Sequence, residues 1–311
     1  FTGLIDEVKV YNGAVTQAQV TALYSETHDC AVVAEWRMDE LAWNGTAGEV
    51  QDSSGNNLNG WTVAGASTAS AKICQGGVFD NQSYAEIPDS AALQLATAYS
   101  VAAWIKTGKA SGTIVSKTAA SSPWSGYVFA IGPDSGGKLA LWNGTGSWNT
   151  SSGAAVNDGA WHHVVASVNG TSLQFYVDGA PNGAAIALSG TTTASTSPLR
   201  IGYENNAGGA SRYFSGKIDE VMIFKAALSA AEVAAGYANQ NAGRNWNGTA
   251  RSCPTSFDHI RIEHKGTGLT CQREPVTIKA CKDATCTALS TESVSLKLSP
   301  TGKWWPVATG G

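Results

Sequence analysis

Residues 214–237 read FSGKIDEVMIFKAALSAAEVAAGY, and residues 1–24 read FTGLIDEVKVYNGAVTQAQVTALY. The two stretches align without a gap. Phe1, Gly3, Ile5, Asp6, Glu7, Val8, Ala14, Val20 and Tyr24 recur as Phe214, Gly216, Ile218, Asp219, Glu220, Val221, Ala227, Val233 and Tyr237. Each copy opens with a run of β-formers, IDEVMIF at 218–224, that reads as a strand. Ser229 then stands as a helix N-cap with Glu232 three residues on, the capping-box spacing. Leu228, Val233 and Tyr237 supply the apolar face of a short helix that should end near Gly243. A repeat spaced by a whole domain marks the same domain end twice. Residues 1–28 are therefore expected to be the closing strand and helix of a preceding domain, and 30–243 a complete copy.

Within that copy, apolar runs at 32–38, 77–87, 99–106, 112–117, 126–131, 138–142, 161–168, 172–177 and 199–203 read as strands. Asp52-Ser-Ser-Gly, Asn143-Gly, Asp158-Gly, Asn169-Gly and Asp178-Gly punctuate them with turn chemistry. Many short strands and one helix predict an all-β fold: an antiparallel two-sheet jelly-roll sandwich closed by a short C-terminal helix. From Cys253-Pro254 onward the pattern changes. Alternating strands at 257–264, 276–280 and 293–298 predict a partial Ig-like β module over 254–311.

Charged residues make up only 14% of the chain and net charge is −4, with no basic run. That argues against nucleic acid and anionic membrane as partners, and no apolar stretch is long enough to span a bilayer. The six cysteines, Cys30, Cys74, Cys253, Cys271, Cys281 and Cys286, form no C-x-x-C pair. They fit disulfides in an extracellular protein better than a zinc site. Cys281 and Cys286 are close enough to clip one turn. Cys30 and Cys253 flank the central domain and would meet if its ends are adjacent.

Several pieces together resemble the LamG-like jelly roll of the concanavalin A-like lectin/glucanase superfamily. They are Trp36 on the first strand, Asp52-Ser-Ser-Gly-Asn with Gly60, Gly77-Val-Phe-Asp80 with Tyr84 and Ile87, and Ser100-Val-Ala-Ala-Trp104-Ile. Trp161-His-His-Val164, Phe175-Tyr-Val-Asp178-Gly and the closing strand complete the ordered set. The tail, with Phe257-Asp-His-Ile-Arg-Ile-Glu-His, Gly268-Leu-Thr-Cys271 and Pro275-Val-Thr-Ile-Lys-Ala-Cys281, is similar to the region after such a domain in pilus-associated proteins of mannose-sensitive haemagglutinin systems. The resemblance implies a segment of a multidomain bacterial surface protein. It also implies a structural Ca²⁺ where the closing-strand acid meets the turn after the first strand. The ligands would be Asp52, Asp219 and Asn57, with Asp80 as a further candidate and Ser53 and Asn56 nearby.

The superfamily's hydrolases carry a Glu-x-Asp-x-x-Glu arrangement, which this sequence lacks. Glycosidases need two carboxylates converging on one bond. Asp39-Glu40 and Asp219-Glu220 are adjacent pairs, whose side chains should diverge to opposite faces of a strand. His162 and His163 should likewise split, one inward and one outward. No enzyme is expected. For ligand binding, Trp36, Trp104 and Trp161 lie in apolar contexts and read as core. Trp124, Trp142 and Trp148 sit among Ser, Gly, Asn and Thr, and Tyr203, Glu204, Asn205, Asn206, Arg212 and Tyr213 form a second polar-aromatic cluster. Aromatic faces and polar edges of that kind suit a sugar. We assign ligand binding to Trp124, Trp148, Tyr203, Asn205, Arg212 and Tyr213. The leading expectation is a non-enzymatic adhesion or carbohydrate-binding module that meets a glycan or surface ligand. A structural spacer, packed with other domains or subunits of a surface filament, is the alternative. A glycoside hydrolase comes third. The Asn-Gly-Thr sequons read as hairpin turns.

Overall fold

The computed structural model describes residues 11, 13–17, 19, 32–119, 124–205, 212–254, 259–263, 277–281 and 285–290. Two units compose the chain, Phe1–Cys253 and Pro254–Gly311. In chain order the first unit holds β1 (Val32–Trp36), β2 (Trp61–Val63), β3 (Ser67–Ser70), β4 (Gln75–Asp80), β5 (Tyr84–Ile87) and β6 (Ala98–Lys106). Then come β7 (Gly112–Thr118), β8 (Gly126–Ile131), β9 (Leu139–Trp142), β10 (Asn149–Thr150), β11 (Trp161–Asn169) and β12 (Ser172–Val177). The last are β13 (Ala180–Pro181), β14 (Ile186–Ala187), β15 (Leu199–Ile201), β16 (Tyr203–Glu204), β17 (Arg212–Tyr213) and β18 (Ser215–Phe224), followed by helix α1 (Ala230–Asn241).

Two antiparallel sheets face each other. One runs β13-β12-β11-β6-β18-β4-β3, with β1 also on β18 and β14 on β12; the other runs β10-β9-β8-β7-β15-β5-β2. Between them lies one continuous core that includes Trp36, Phe79, Tyr99, Ile105, Tyr127, Phe129, Phe175, Phe214 and Ile218. The outer face of the first sheet is covered too. Ala102, Val165, Tyr176, Met222 and Phe224 pack there against Leu228 and Val233 and against Trp246. This double burial explains why β6, AYSVAAWIK, reads as a nearly unbroken apolar run: Tyr99, Val101, Ala103 and Ile105 point inward while Ala102 and Trp104 meet the helix layer.

The 77–87 run is two strands, not one. Asp80 accepts from the backbone of Gln82 and Ser83 and from the Ser83 hydroxyl, and Asn81 takes φ +74, so the chain turns there. Short pairing strands at β2, β3, β10, β13, β14 and β17 lacked any alternation a sequence window could detect. The sequons behave as turns: Asn44, Asn143 and Asn247 each accept from the Thr two residues on. Around α1, Ser229 Oγ accepts from Glu232 N while the Glu232 carboxylate accepts from Ser229 N, the reciprocal capping box. Thr16 and Gln19 hold the same places in the first copy and bond the same way, Thr16 N donating to Gln19 Oε1 at 2.8 Å and Gln19 N to Thr16 Oγ1 at 3.3 Å. Of residues 1–28, the structure describes 11, 13–17 and 19, so the expected strand lies outside the described residues.

Cys253 pairs with Cys74, not with Cys30, because the chain after α1 runs back to the β3–β4 turn; Cys281 pairs with Cys286 as expected. Cys30 and Cys271 lie outside the described residues. In the second unit β19 (His259–Glu263) and β20 (Thr277–Cys281) form an antiparallel pair; the expected strand at 293–298 falls outside the described residues.

At Gly126, which opens β8, φ is +94 and an added Cβ would sit 1.8 Å from the Lys117 carbonyl oxygen. Gly126→Ala is therefore expected to cost at least about 1–3 kcal/mol from backbone strain, with overlap adding to it. A urea unfolding midpoint equal to that of the unaltered chain would refute this.

Candidate functional site

At one end of the second sheet the strands stop short and their loops enclose a hollow of about 220 Å³. Thr118 closes β7, Trp142 closes β9, and Trp124 and Trp148 arrive on the adjoining loops. Glu204 and Arg212 come from the β16–β17 pair, complete the wall, and tie it together through Arg212 Nη1 and Glu204 Oε2 at 2.8 Å.

Each side chain is placed by a local device. The 143–148 loop connects β9 to β10 through Gly144 and Gly146 at φ +83 and +97, a region open to glycine. Trp142 Nε1 donates back to the Gly146 carbonyl at 2.9 Å, holding its ring edge to the loop. In the β16–β17 pair, Tyr203 stands opposite Tyr213 and Glu204 opposite Arg212. Directly opposed side chains interact: the tyrosine rings stack at 4.4 Å and the ion pair forms beside them. Ser116 Oγ donates to the Tyr203 carbonyl at 2.7 Å and anchors the pair on β7. The Arg212 guanidinium lies 5.3 Å over the Trp148 ring, a cation–π contact that orients both groups. Burial pushes the Glu204 carboxyl up, and the hydrogen bond from Arg212 opposes it.

Of the six residues expected to bind ligand, Trp124, Trp148 and Arg212 line the hollow. Tyr203 and Tyr213 form the stacked tyrosine layer, which Tyr84 extends at 4.7 Å from Tyr203. Asn205 follows Glu204 half-buried. Trp142, Thr118 and Gly144 complete the wall without having been singled out as ligand-binding; the Asn-Gly turn after Trp142 was the available signal. Trp124 is 41% exposed, so its ring is free to take an apolar face. Trp36 and Trp104 are core as expected, whereas Trp161 is only half-buried because it begins β11 at the sheet margin.

The expected calcium ligands are committed elsewhere. Asp52 Oδ1 accepts from Glu35 N and Ser54 N, and Oδ2 from Ser54 Oγ and Leu58 N. Four bonds use every lone pair a carboxylate offers, so Asp52 does not fit a cation. Asp80 takes its three turn bonds on Oδ1, Asn57 is exposed at φ +57, and Asp219 is fully buried with Oδ2 accepting from Ile73 N at 2.9 Å. Among the described residues no three His, Cys, Asp or Glu side chains are grouped as a metal would need.

Asp219 and Glu220 also depart from expectation. They do not diverge: the pairing of β18 with β6 shifts register between Asp219 and Met222, Glu220 has φ +50, and both carboxylates are buried. The bulge re-aims them. Glu220 meets Arg251 and accepts from Gln240 Nε2 at 3.0 Å, and Gln240 Oε1 accepts from Trp104 Nε1 at 3.0 Å. Arg251 also pairs with Asp39 at 2.7 Å. Burial pushes the Glu220 carboxyl up to about 8 against the pull of Arg251. Burial, with the nearby Glu220 charge, pushes Asp219 well above the carboxylate range. The histidines split as adjacent strand residues should. His163 is buried among Trp104, Tyr237 and Trp246, and burial lowers it to about 4. His162 bridges Asp178 at 2.8 Å and Asp158 at 3.1 Å.

A family model described as the concanavalin A-like lectin/glucanases superfamily matches residues 79–234, and one described as a domain of unknown function matches 257–310. Neither description names a pilus. No curated protein is significantly similar in sequence. Among solved structures, domain 4 of AbnA, an extracellular arabinanase from Geobacillus stearothermophilus in complex with arabinotriose, is similar with a TM-score of 0.53 at 21% identity, over 66% of this chain and 97% of that one. The binding domain of Paraclostridial Mosquitocidal Protein 1 gives 0.51 at 15%, over 76% and 58%. The binding domain of botulinum neurotoxin DC in complex with SialylT gives 0.50 at 11%, over 68% and 52%. The chain thus spans just over half of each toxin domain. No helix among the described residues is long and apolar enough to cross a membrane.

Proposed function

The chain belongs to the concanavalin A-like lectin/glucanases superfamily, and from that premise we propose that its jelly roll is a non-enzymatic carbohydrate-binding module. The observation that carries this is the hollow walled by Trp124, Trp142 and Trp148 around the Arg212–Glu204 pair. A sugar ring has an apolar C–H face that an indole can cover, and hydroxyls that a carboxylate and a guanidinium can meet. Domain 4 of the arabinanase, which shares the fold, is described with arabinotriose bound, and the reading extends a saccharide ligand to this chain. Binding without cleavage is favoured because hydrolysis wants two facing carboxyls, and Glu204, tied to Arg212, is the one acid among the described residues of the wall.

We place the module in an extracellular, multidomain bacterial surface protein. The disulfides at Cys74–Cys253 and Cys281–Cys286 support an oxidising compartment. The repeated closing segment supports tandem domains, and the same repeat favours a spacer as the second reading. The pilus affiliation rests on the resemblance of the tail alone.

Glycan-array screening followed by calorimetry separates these. The module should bind at least one array glycan, and Trp148→Ala should weaken it about thirtyfold, as loss of a central aromatic anchor does. Trp124→Ala should weaken it less, because that ring is the more exposed. Wild-type affinity in both variants, or no glycan bound at all, would leave the spacer reading in possession.

A further inference from the structure

We infer a second carbohydrate-binding site on the other sheet, in a hollow of about 230 Å³ between β1, the turn at Ser53–Ser54 and the loop after α1. It uses none of the residues of the tryptophan-walled hollow and shares with that reading only the class of ligand.

The loop that forms its outer wall is held rigidly. Arg251 ties it inward to Asp39 and Glu220, and Arg251 Nη1 donates to Asn245 Oδ1 at 2.8 Å. Asn239 Nδ2 donates to the Trp246 carbonyl at 2.9 Å, and the Trp246 ring packs on Phe224 with centroids 5.3 Å apart. The Cys74–Cys253 bond closes the segment two residues after Arg251. A wall fixed in this way needs no ordering when a ligand arrives.

Its chemistry has two sides. Val32, Met222 and Trp246, all part of the outer apolar layer, supply a nonpolar side. On the polar side, Trp246 Nε1, Asn247 Nδ2 and Arg37 Nη1 donate to no partner among the described residues. Arg37 instead spends Nε and Nη2 on Glu35, at 2.9 and 3.1 Å. The positive charge is thereby cancelled, and Asp39 and Glu220 lie close behind. An anion gains nothing in such a place. A neutral sugar does, since it offers several acceptor oxygens and a C–H face at once.

The test follows the indole N–H resonances of Trp246 and Trp148 by two-dimensional NMR during titration with arabinotriose, N-acetylglucosamine and N-acetylneuraminate. At least one neutral sugar should shift Trp246 saturably, in the wild type and in a Trp124→Ala/Trp148→Ala variant alike, while N-acetylneuraminate should not. Asn247→Asp keeps the Oδ1 that caps its turn but removes the free donor, and should weaken the response about tenfold. Cys74→Ser/Cys253→Ser should weaken the Trp246 response and leave that of Trp148. Movement of Trp246 without Trp148 would uphold this site and sink the first. A Trp246 resonance that no neutral sugar moves, or one that responds equally in Asn247→Asp, overturns the inference.

Discussion

Arg251→Ala should lower the unfolding free energy by about 3–5 kcal/mol once Glu220 is ionised, above about pH 8, the usual consequence of stranding a buried charge by removing its partner. The Arg251 side chain is 3% exposed and faces Glu220, whose side chain is completely buried, and Asp39. The loss should also depend on pH, and the sign follows from Glu220. Its folded carboxyl sits at about 8, above the ordinary 4.5, because burial outweighs the pull of Arg251. The native state therefore holds a proton that the unfolded chain has released between about pH 4.5 and 8. Stability at this site falls as pH rises through that window. Without the guanidinium the folded Glu220 value rises further, so the window widens upward. Urea unfolding at pH 5 and at about pH 9.5, well above the folded Glu220 value, should show Arg251→Ala closer to wild type at the lower pH and further below it at the higher. A deficit of equal size at both would mean that Arg251 acts by filling space rather than by charge.

That cluster also marks where a linear reading stops. The closing strand and helix were legible, because a repeat and a capping box are local signals, and Trp36 and Trp104 were legible as core from their apolar neighbours. The tryptophan-walled hollow was half legible. Trp124, Trp148 and Arg212 each stood out by being aromatic or cationic among Gly, Ser and Asn. Their convergence was not visible, since it depends on β7, β9 and the β16–β17 pair ending at the same side of one sheet. The bulge at Glu220 was invisible for a sharper reason. Period-two alternation predicts that Asp219 and Glu220 diverge, and one residue at φ +50 reverses that with no mark in composition. Calcium was expected from the family resemblance, which sets the closing-strand acid beside the turn at Asp52. The donors that saturate Asp52 are largely backbone N–H groups of Glu35, Ser54 and Leu58, which every sequence contains.

Cys74→Ser/Cys253→Ser should cost about 4–5 kcal/mol, through the unfolded state above all. The bond joins residues 179 apart, and opening so long a loop releases large chain entropy once the protein unfolds. The native contribution is narrower. Cys253 is two residues from Arg251, so the bond and the ion pair order the same short segment, and each lowers the cost of forming the other. Their effects should therefore not add. A double-mutant cycle measured by urea unfolding, combining Arg251→Ala with the serine pair, should give a total loss smaller than the sum of the two by about 0.5–3 kcal/mol, the range for residues sharing a structural element. The m-value of the serine pair should rise, because the unlinked denatured chain exposes more surface. If the losses add within error, the disulfide restrains only the unfolded chain, and the Arg251 segment holds its place against Asp39 and Glu220 without it.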